Sequence, residues 1–277
     1  MTAVFFPGQG SQTKDMRADV ERLRPDLLEL AHSELGTDPF ERIEEGTHFA
    51  QPAIYCASLA GWSLVDPGEA SCMAGHSLGV FSALTAAGVL TERDGLRLVA
   101  LRGKLMHEAE VGGGMMAVGT PVDVAAELAG RFGLHVANDN APEQVVLTGD
   151  GDAIDRAVDA AKAEGLRATR LRVSGPFHSP AMGAAAAQLG AALDEVELGE
   201  PSVPVYCCVT TEPYGDVRRL LVEGLTSPVR WRETVLAMQS AGETRFLEVG
   251  PGRVLAGLVR RIIDGADATS LKEAARA

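Results

Sequence analysis

The chain has 277 residues, 46% of them hydrophobic and 23% charged, an ordinary globular composition that excludes a disordered, collagen-like or coiled-coil protein. Its 25 Lys and Arg against 38 Asp and Glu leave a net charge of −13, which disfavours nonspecific binding to nucleic acid or anionic membrane. The length allows one large α/β domain or a body carrying a smaller insert.

The N-terminal run Ala3-Val4-Phe5-Phe6 predicts a buried strand ended by Pro7-Gly8, with Gln9 and Gln12 in the loop beyond. No basic segment of a signal peptide precedes it. A helical, charge-rich stretch covers about Met16 to Leu35, and Gln51 to Val65 is apolar enough for a core helix. Residues 71–91 contain no charged side chain, yet their glycines, serines and His76 favour strand, turn and helix over a membrane span. Thr91 followed by Glu92 and Asp94 reads as a capped helix start, and that helix is predicted to run to about Glu110. On it Arg102 falls among Leu98, Leu101 and Leu105, four residues after one leucine and three before another.

From Gly113 the texture changes to strand, helix, strand, strand, helix, strand, the βαββαβ ferredoxin-like order, ending near Ser174-Gly175-Pro176. Residues 113–174 are therefore expected to form a small inserted domain, with 1–112 and 175–277 forming the large one. The remainder predicts a helix from Met182 to Leu193, a strand Val203 to Cys208, helices over Val217 to Leu225 and Trp231 to Ser240, a strand Arg245 to Val249, and a last helix after Gly250-Pro251-Gly252. Alternating strands and helices imply an α/β fold with a largely parallel sheet covered on both faces, α/β-hydrolase-like in its large domain. Four cysteines lack Cys-x-x-Cys spacing, and the adjacent Cys207 and Cys208 are poorly placed for an unstrained bridge, so a reducing, cytoplasmic location is expected.

Gly75-His76-Ser77-Leu78-Gly79 is a Gly-x-Ser-x-Gly motif between a predicted strand and a predicted helix, the setting of a nucleophile elbow. Ser77 needs a base, because a serine hydroxyl is a weak nucleophile at neutral pH. Of six histidines, His178 stands out on a Pro-bounded loop, Gly175-Pro176-Phe177-His178-Ser179-Pro180, with no acidic triad partner nearby; a backbone carbonyl can orient its ring instead. Arg102 has two readings. It packs its stem on leucines with its head in solvent, or it is held in a pocket to receive a carboxylate through paired hydrogen bonds.

In order, Phe6-Pro7-Gly8-Gln9-Gly10-Ser11-Gln12, Gly75 to Gly79, Arg102-Gly103-Lys104, Asn138-Asp139-Asn140 with Gln144-Val145-Val146, Phe177-His178-Ser179, Pro228-Val229-Arg230-Trp231 and Glu248 to Gly252 resemble the malonyl-CoA:acyl carrier protein transacylases, the family of the acyltransferase domains of polyketide and fatty acid synthases. The resemblance covers almost the whole chain. It implies Ser77 as the acylated nucleophile, His178 as general base and then acid, and the N–H groups of Gln9 and Leu78 as the oxyanion hole. It implies Arg102 as the clamp for the malonyl carboxylate, with Met106, Asn138 and Phe177 also on the substrate. The carbonyl that orients the histidine would be that of Arg230. Phe177 resembles the bulky residue of malonyl-selective members. His107, Val80 and Cys207-Cys208 depart from the commonest family residues, and the chain is some tens of residues shorter than typical members.

The activity implied is ping-pong transfer of malonyl from malonyl-CoA to the phosphopantetheine thiol of an acyl carrier protein, in fatty acid or polyketide synthesis, with no metal or redox cofactor and the enzyme a monomer. Since the carrier is expected to be acidic, a locally basic face is expected from Arg167, Arg170, Arg172, Arg230, Arg232, Arg253, Arg260 and Arg261. Alternatives are a trans-acting polyketide synthase acyltransferase with a substituted malonyl donor, an editing acyl hydrolase, and a noncatalytic carrier-docking module. Arg102 argues against the hydrolase of neutral chains, and the Ser77, His178 and Gln9 set argues against the docking module.

Overall fold

A computed structural model describes residues 2–109, 112–173 and 175–274. In chain order the elements are β1 (Thr2–Phe6), α1 (Met16–Leu23), α2 (Pro25–Leu35), α3 (Thr47–Trp62), β2 (Ala70–Gly75), α4 (Gly79–Ala86), α5 (Glu92–Glu108), β3 (Gly113–Gly119), α6 (Val122–Phe132), β4 (His135–Ala141) and β5 (Gln144–Asp150). They continue with α7 (Gly151–Ala163), β6 (Arg167–Arg170), α8 (Gly183–Asp194), β7 (Val205–Tyr206), α9 (Val217–Thr226), α10 (Trp231–Ser240), β8 (Arg245–Glu248), α11 (Val254–Ile262), β9 (Asp267–Ser270) and α12 (Leu271–Ala274).

Five strands form a parallel sheet in the order β7-β2-β1-β8-β9. Every residue of β1 is buried, and alternation sends Val4 and Phe6 to one core and Ala3 and Phe5 to the other. A strand buried on both faces is what an unbroken apolar run encodes. Phe5 meets Trp231 edge-on at 4.9 Å on the second face, closing the core beneath α10. The other four strands form an antiparallel sheet, order β4-β5-β3-β6, with α6 and α7 packed on it through Leu128, Ile154 and Ala157. This is the predicted ferredoxin-like order. Its strand β4 is stitched to the segment before α10: Val229 donates to the Ala137 carbonyl at 2.8 Å, Asp139 N–H donates to Val229 at 3.0 Å, and the buried Asp139 pairs with Arg232 at 2.8 Å.

Several expected boundaries shift. Pro25 starts a new helix, splitting the 16–35 stretch in two, because a proline lacks the N–H that continuation needs but fits a first turn. The core helix begins at Thr47 and not at Gln51. The strand expected over Val203 to Cys208 shrinks to Val205–Tyr206, since Cys207 turns away to bond the Glu212 carbonyl. Strand β9 was not expected; Asp267-Ala268-Thr269-Ser270 carries too little apolar signal, and pairing with β8 makes it. The expected helix end at Glu110 and insert end at Ser174 lie outside the described residues.

Candidate active site

Strand β2 delivers Ser77 to the N-terminus of α4 through a turn that only this sequence pattern tolerates. Ser77 has φ +52°, a left-handed conformation that costs a non-glycine residue roughly 1–2 kcal/mol. The two glycines make room: a Cβ on Gly75 would lie 2.0 Å from the Gly79 backbone, and one on Gly79 would lie 1.9 Å from the Phe6 carbonyl oxygen. Strand and helix thus touch, and Ser77 Oγ stands clear at the positive end of α4. His76 turns the other way, its Nε2 2.7 Å from Asn140 Oδ1 and its ring against Trp231.

His178 meets Ser77 across 101 residues of chain, Nε2 to Oγ at 2.8 Å. Its own φ of +58° fixes the ring over the serine. Its Nδ1 lies 3.0 Å from the carbonyl oxygen of Gly224, which corrects the expectation that the Arg230 carbonyl orients it. The reason is helical. The Arg230 carbonyl starts α10 and is taken by the Thr234 N–H at 2.9 Å and hydroxyl at 2.8 Å, whereas Gly224 sits in the last turn of α9, where carbonyls have no partner within the helix. With Nδ1–H donating there, Nε2 is left free to accept the serine proton.

Burial, and after it the charge of Arg102, push the His178 pKa down to about 3. Both causes disfavour the protonated ring, so the base form persists to lower pH than for an ordinary histidine. Acylation kcat/KM is therefore expected to stay flat from neutrality to about pH 5 by stopped flow. A fall centred near the usual value of about 6.5 would show that His178 is not held neutral.

Arg102 settles the choice between its two readings. It is 3% exposed on α5 and donates from Nη2 to Ser77 Oγ at 3.0 Å and from Nη1 to Gln51 Oε1 at 2.7 Å. No carboxylate among the described residues pairs with it, and burial alone lowers its pKa to about 10. The guanidinium is thus held dry beside a serine hydroxyl, with no counter-ion among the described residues. Gln51 was not singled out from sequence. It is fully buried in α3 and gives its amide to Met106 Sδ at 3.3 Å. The available signal was a polar residue in an apolar helical run, the same sign that marks Arg102.

Ser77, His178 and Arg102 open on a cleft of about 520 Å³ whose walls include Gln9, Leu78, Met106, Asn138 and Phe177. All the expected site residues except Arg230 thus converge. Among the described residues the backbone N–H groups of Gln9 and Leu78 donate to no backbone carbonyl, and both residues line the cleft. The loop bearing Gln9 is seated by a close approach of Gly8 to the His76 carbonyl and by the Ser11 hydroxyl on the Gly8 carbonyl at 2.8 Å. Beneath the α11 wall of the cleft, buried Glu248 accepts the Ala256 N–H at 2.9 Å, and its burial raises its pKa to about 7. Among the described residues no cluster of side chains is set to hold a metal ion, and no helix is long and apolar enough to cross a membrane.

The acyl transferase domain family matches residues 41–275. The chain is 40% identical over 295 residues to the malonyl CoA-acyl carrier protein transacylase of Escherichia coli strain K12, covering 98% of this chain and 96% of that one. This chain belongs to the acyl transferase domain family. Another family relative, the polyketide biosynthesis protein ThaF of Burkholderia thailandensis, is 41% identical over 280 residues, but the chain spans only 24% of that protein. Among solved structures, a malonyl-CoA:acyl carrier protein transacylase from Xanthomonas oryzae superposes with a TM-score of 0.91 at 38% identity, covering 100% and 98% of the two chains. A malonyl-transacylase in complex with its type II polyketide synthase acyl carrier protein superposes at 0.92, also at 38% identity, over 99% and 96%. The fold, with its parallel sheet and small antiparallel sheet, matches these structures.

Proposed function

We propose that the protein transfers malonyl from malonyl-CoA to the phosphopantetheine thiol of an acyl carrier protein, as an acyl-carrier-protein S-malonyltransferase. The observation that carries this reading is Arg102, buried without a counter-ion and hydrogen-bonded to the nucleophilic hydroxyl. The free carboxylate of malonyl supplies the missing charge. A neutral acyl group would leave the cation unpaired, at a cost of roughly 3–5 kcal/mol.

In this reading His178 Nε2 takes the Ser77 proton as Oγ attacks the thioester carbonyl. The resulting oxyanion rests on the N–H groups of Gln9 and Leu78, and the Gly224 carbonyl steadies the imidazolium. CoA leaves with the proton from His178, and malonyl remains as an ester on Ser77. The carrier thiol then gives its proton to His178 as sulfur attacks the ester, and His178 returns a proton to Ser77 Oγ. Phe177, Met106 and Asn138 line the cleft that receives the acyl group. Residues 1–112 and 175–277 form the catalytic body and residues 113–174 the insert that supplies one wall. All the reacting groups come from one chain, which supports a monomer, and four free cysteines support the cytoplasm.

The test is intact-protein mass spectrometry after mixing with malonyl-CoA, then with holo carrier protein. The expected result is a malonyl adduct that moves to the carrier; release of CoA without an adduct would point to hydrolysis. A second reading, a polyketide acyltransferase with a substituted malonyl donor, is favoured by the likeness to ThaF. Phe177, 5% exposed beside His178 and lining the cleft, weighs against it, because a bulky side chain there leaves less room for a 2-methyl branch. Adduct yields with methylmalonyl-CoA against malonyl-CoA separate the two.

A further inference from the structure

Among the described residues the charged lining of the active-site cleft consists of two arginines and no carboxylate. Arg102 is buried beside Ser77, and Arg172 is exposed between Leu171 and Val173, just past β6. Four of the other arginines expected on the basic face are engaged. Arg170 pairs with Asp155, Arg167 with Glu143 at 3.6 Å, Arg232 with Asp139, and Arg230 with Glu233. Among the described residues no acidic side chain pairs with Arg172. In a chain of net charge −13, with 38 acidic side chains available, a cation left open at the mouth of a cleft free of carboxylates marks the place for a second anion.

We propose that Arg172 binds the phosphate at the far end of the pantetheine arm, so that the cleft holds a ligand anionic at both ends. This rests on the acyl-transfer reading above. Both thioester substrates have that form: malonyl carboxylate, thioester, a mostly uncharged arm, then phosphate. Leu171 and Val173 flank the arm with apolar surface, and the planar fork of an arginine matches phosphate oxygens in pairs. The phosphate comes from the diphosphate of CoA in the first half-reaction and from the phosphodiester of the carrier in the second.

The experiment compares Arg172→Ala with the unaltered protein in three assays: acylation by malonyl-CoA, acylation by malonyl-pantetheine, which has no phosphate, and transfer from the malonyl-enzyme to holo carrier protein. KM for malonyl-CoA is expected to rise about tenfold at constant kcat, with KM for malonyl-pantetheine unmoved and Arg172→Lys recovering part of the loss. A rise in the carrier assay as well assigns the contact to the phosphate common to both; a rise in only one assay assigns it to that substrate. Equal losses with malonyl-CoA and malonyl-pantetheine, or no loss in any assay, overturn the proposal. Failure of the unaltered protein to be acylated by either donor would instead remove the acyl-transfer reading.

Discussion

Ser77→Ala is expected to abolish the malonyl adduct and lower kcat for transfer roughly 10^4-fold or more, with thermal unfolding essentially unchanged. Oγ is the only atom removed, and it is the atom shared by His178 Nε2 at 2.8 Å and Arg102 Nη2 at 3.0 Å. Without it the base has no proton to take and the acyl group has nowhere to reside, so the oxyanion donors stabilise nothing covalent. His178→Ala should fall nearly as far, because residues that act as one unit lose their effect together. Ser77→Gly separates chemistry from strain. It is equally inactive, yet glycine accepts a φ of +52° freely, so unfolding should shift upward by about 1 kcal/mol. A Ser77→Ala protein that still forms the adduct would show that the nucleophile lies elsewhere.

Arg102→Met is expected to reduce kcat/KM for malonyl-CoA by roughly 10^2- to 10^4-fold, from the roughly 3–5 kcal/mol at stake when one partner of a buried charge pair is lost. The same change should leave the thermal midpoint no lower. Gln51 Oε1 loses its donor, a cost of about 1–3 kcal/mol, but the fold no longer has to keep a cation dry without a counter-ion, which costs several kcal/mol. Desolvation is the larger quantity, so binding and stability should move apart. Acetyl-CoA, which has no free carboxylate, should gain relative to malonyl-CoA in the variant. Steady-state kinetics on the two donors and a melting curve measure both sides; a variant that keeps its malonyl preference would remove Arg102 as the clamp. The residual His178 behaviour gives a further check, because loss of the nearby positive charge lets the ring protonate at a higher pH.

Ser77 was legible because the elbow is local: two glycines, a strand before and a helix after force the geometry whatever surrounds it. The place of Arg102 on the leucine side of α5 was legible from a 3.6-residue period, and the βαββαβ order of the insert's elements from the strand and helix pattern alone. The sequence by itself thus determined the fold class, the serine elbow and the place of Arg102 on the leucine face of its helix. Only the tertiary structure decided the partners. The carbonyl that orients His178 belongs to Gly224 and not to Arg230, Gln51 holds the second guanidinium nitrogen of Arg102, and His76 leans on Asn140 of the small sheet. Each joins groups 46 or more residues apart, and each depends on where a helix ends or which carbonyl another residue has already taken. Local propensity carries no record of such competition for hydrogen-bond partners, which is resolved only when the elements pack.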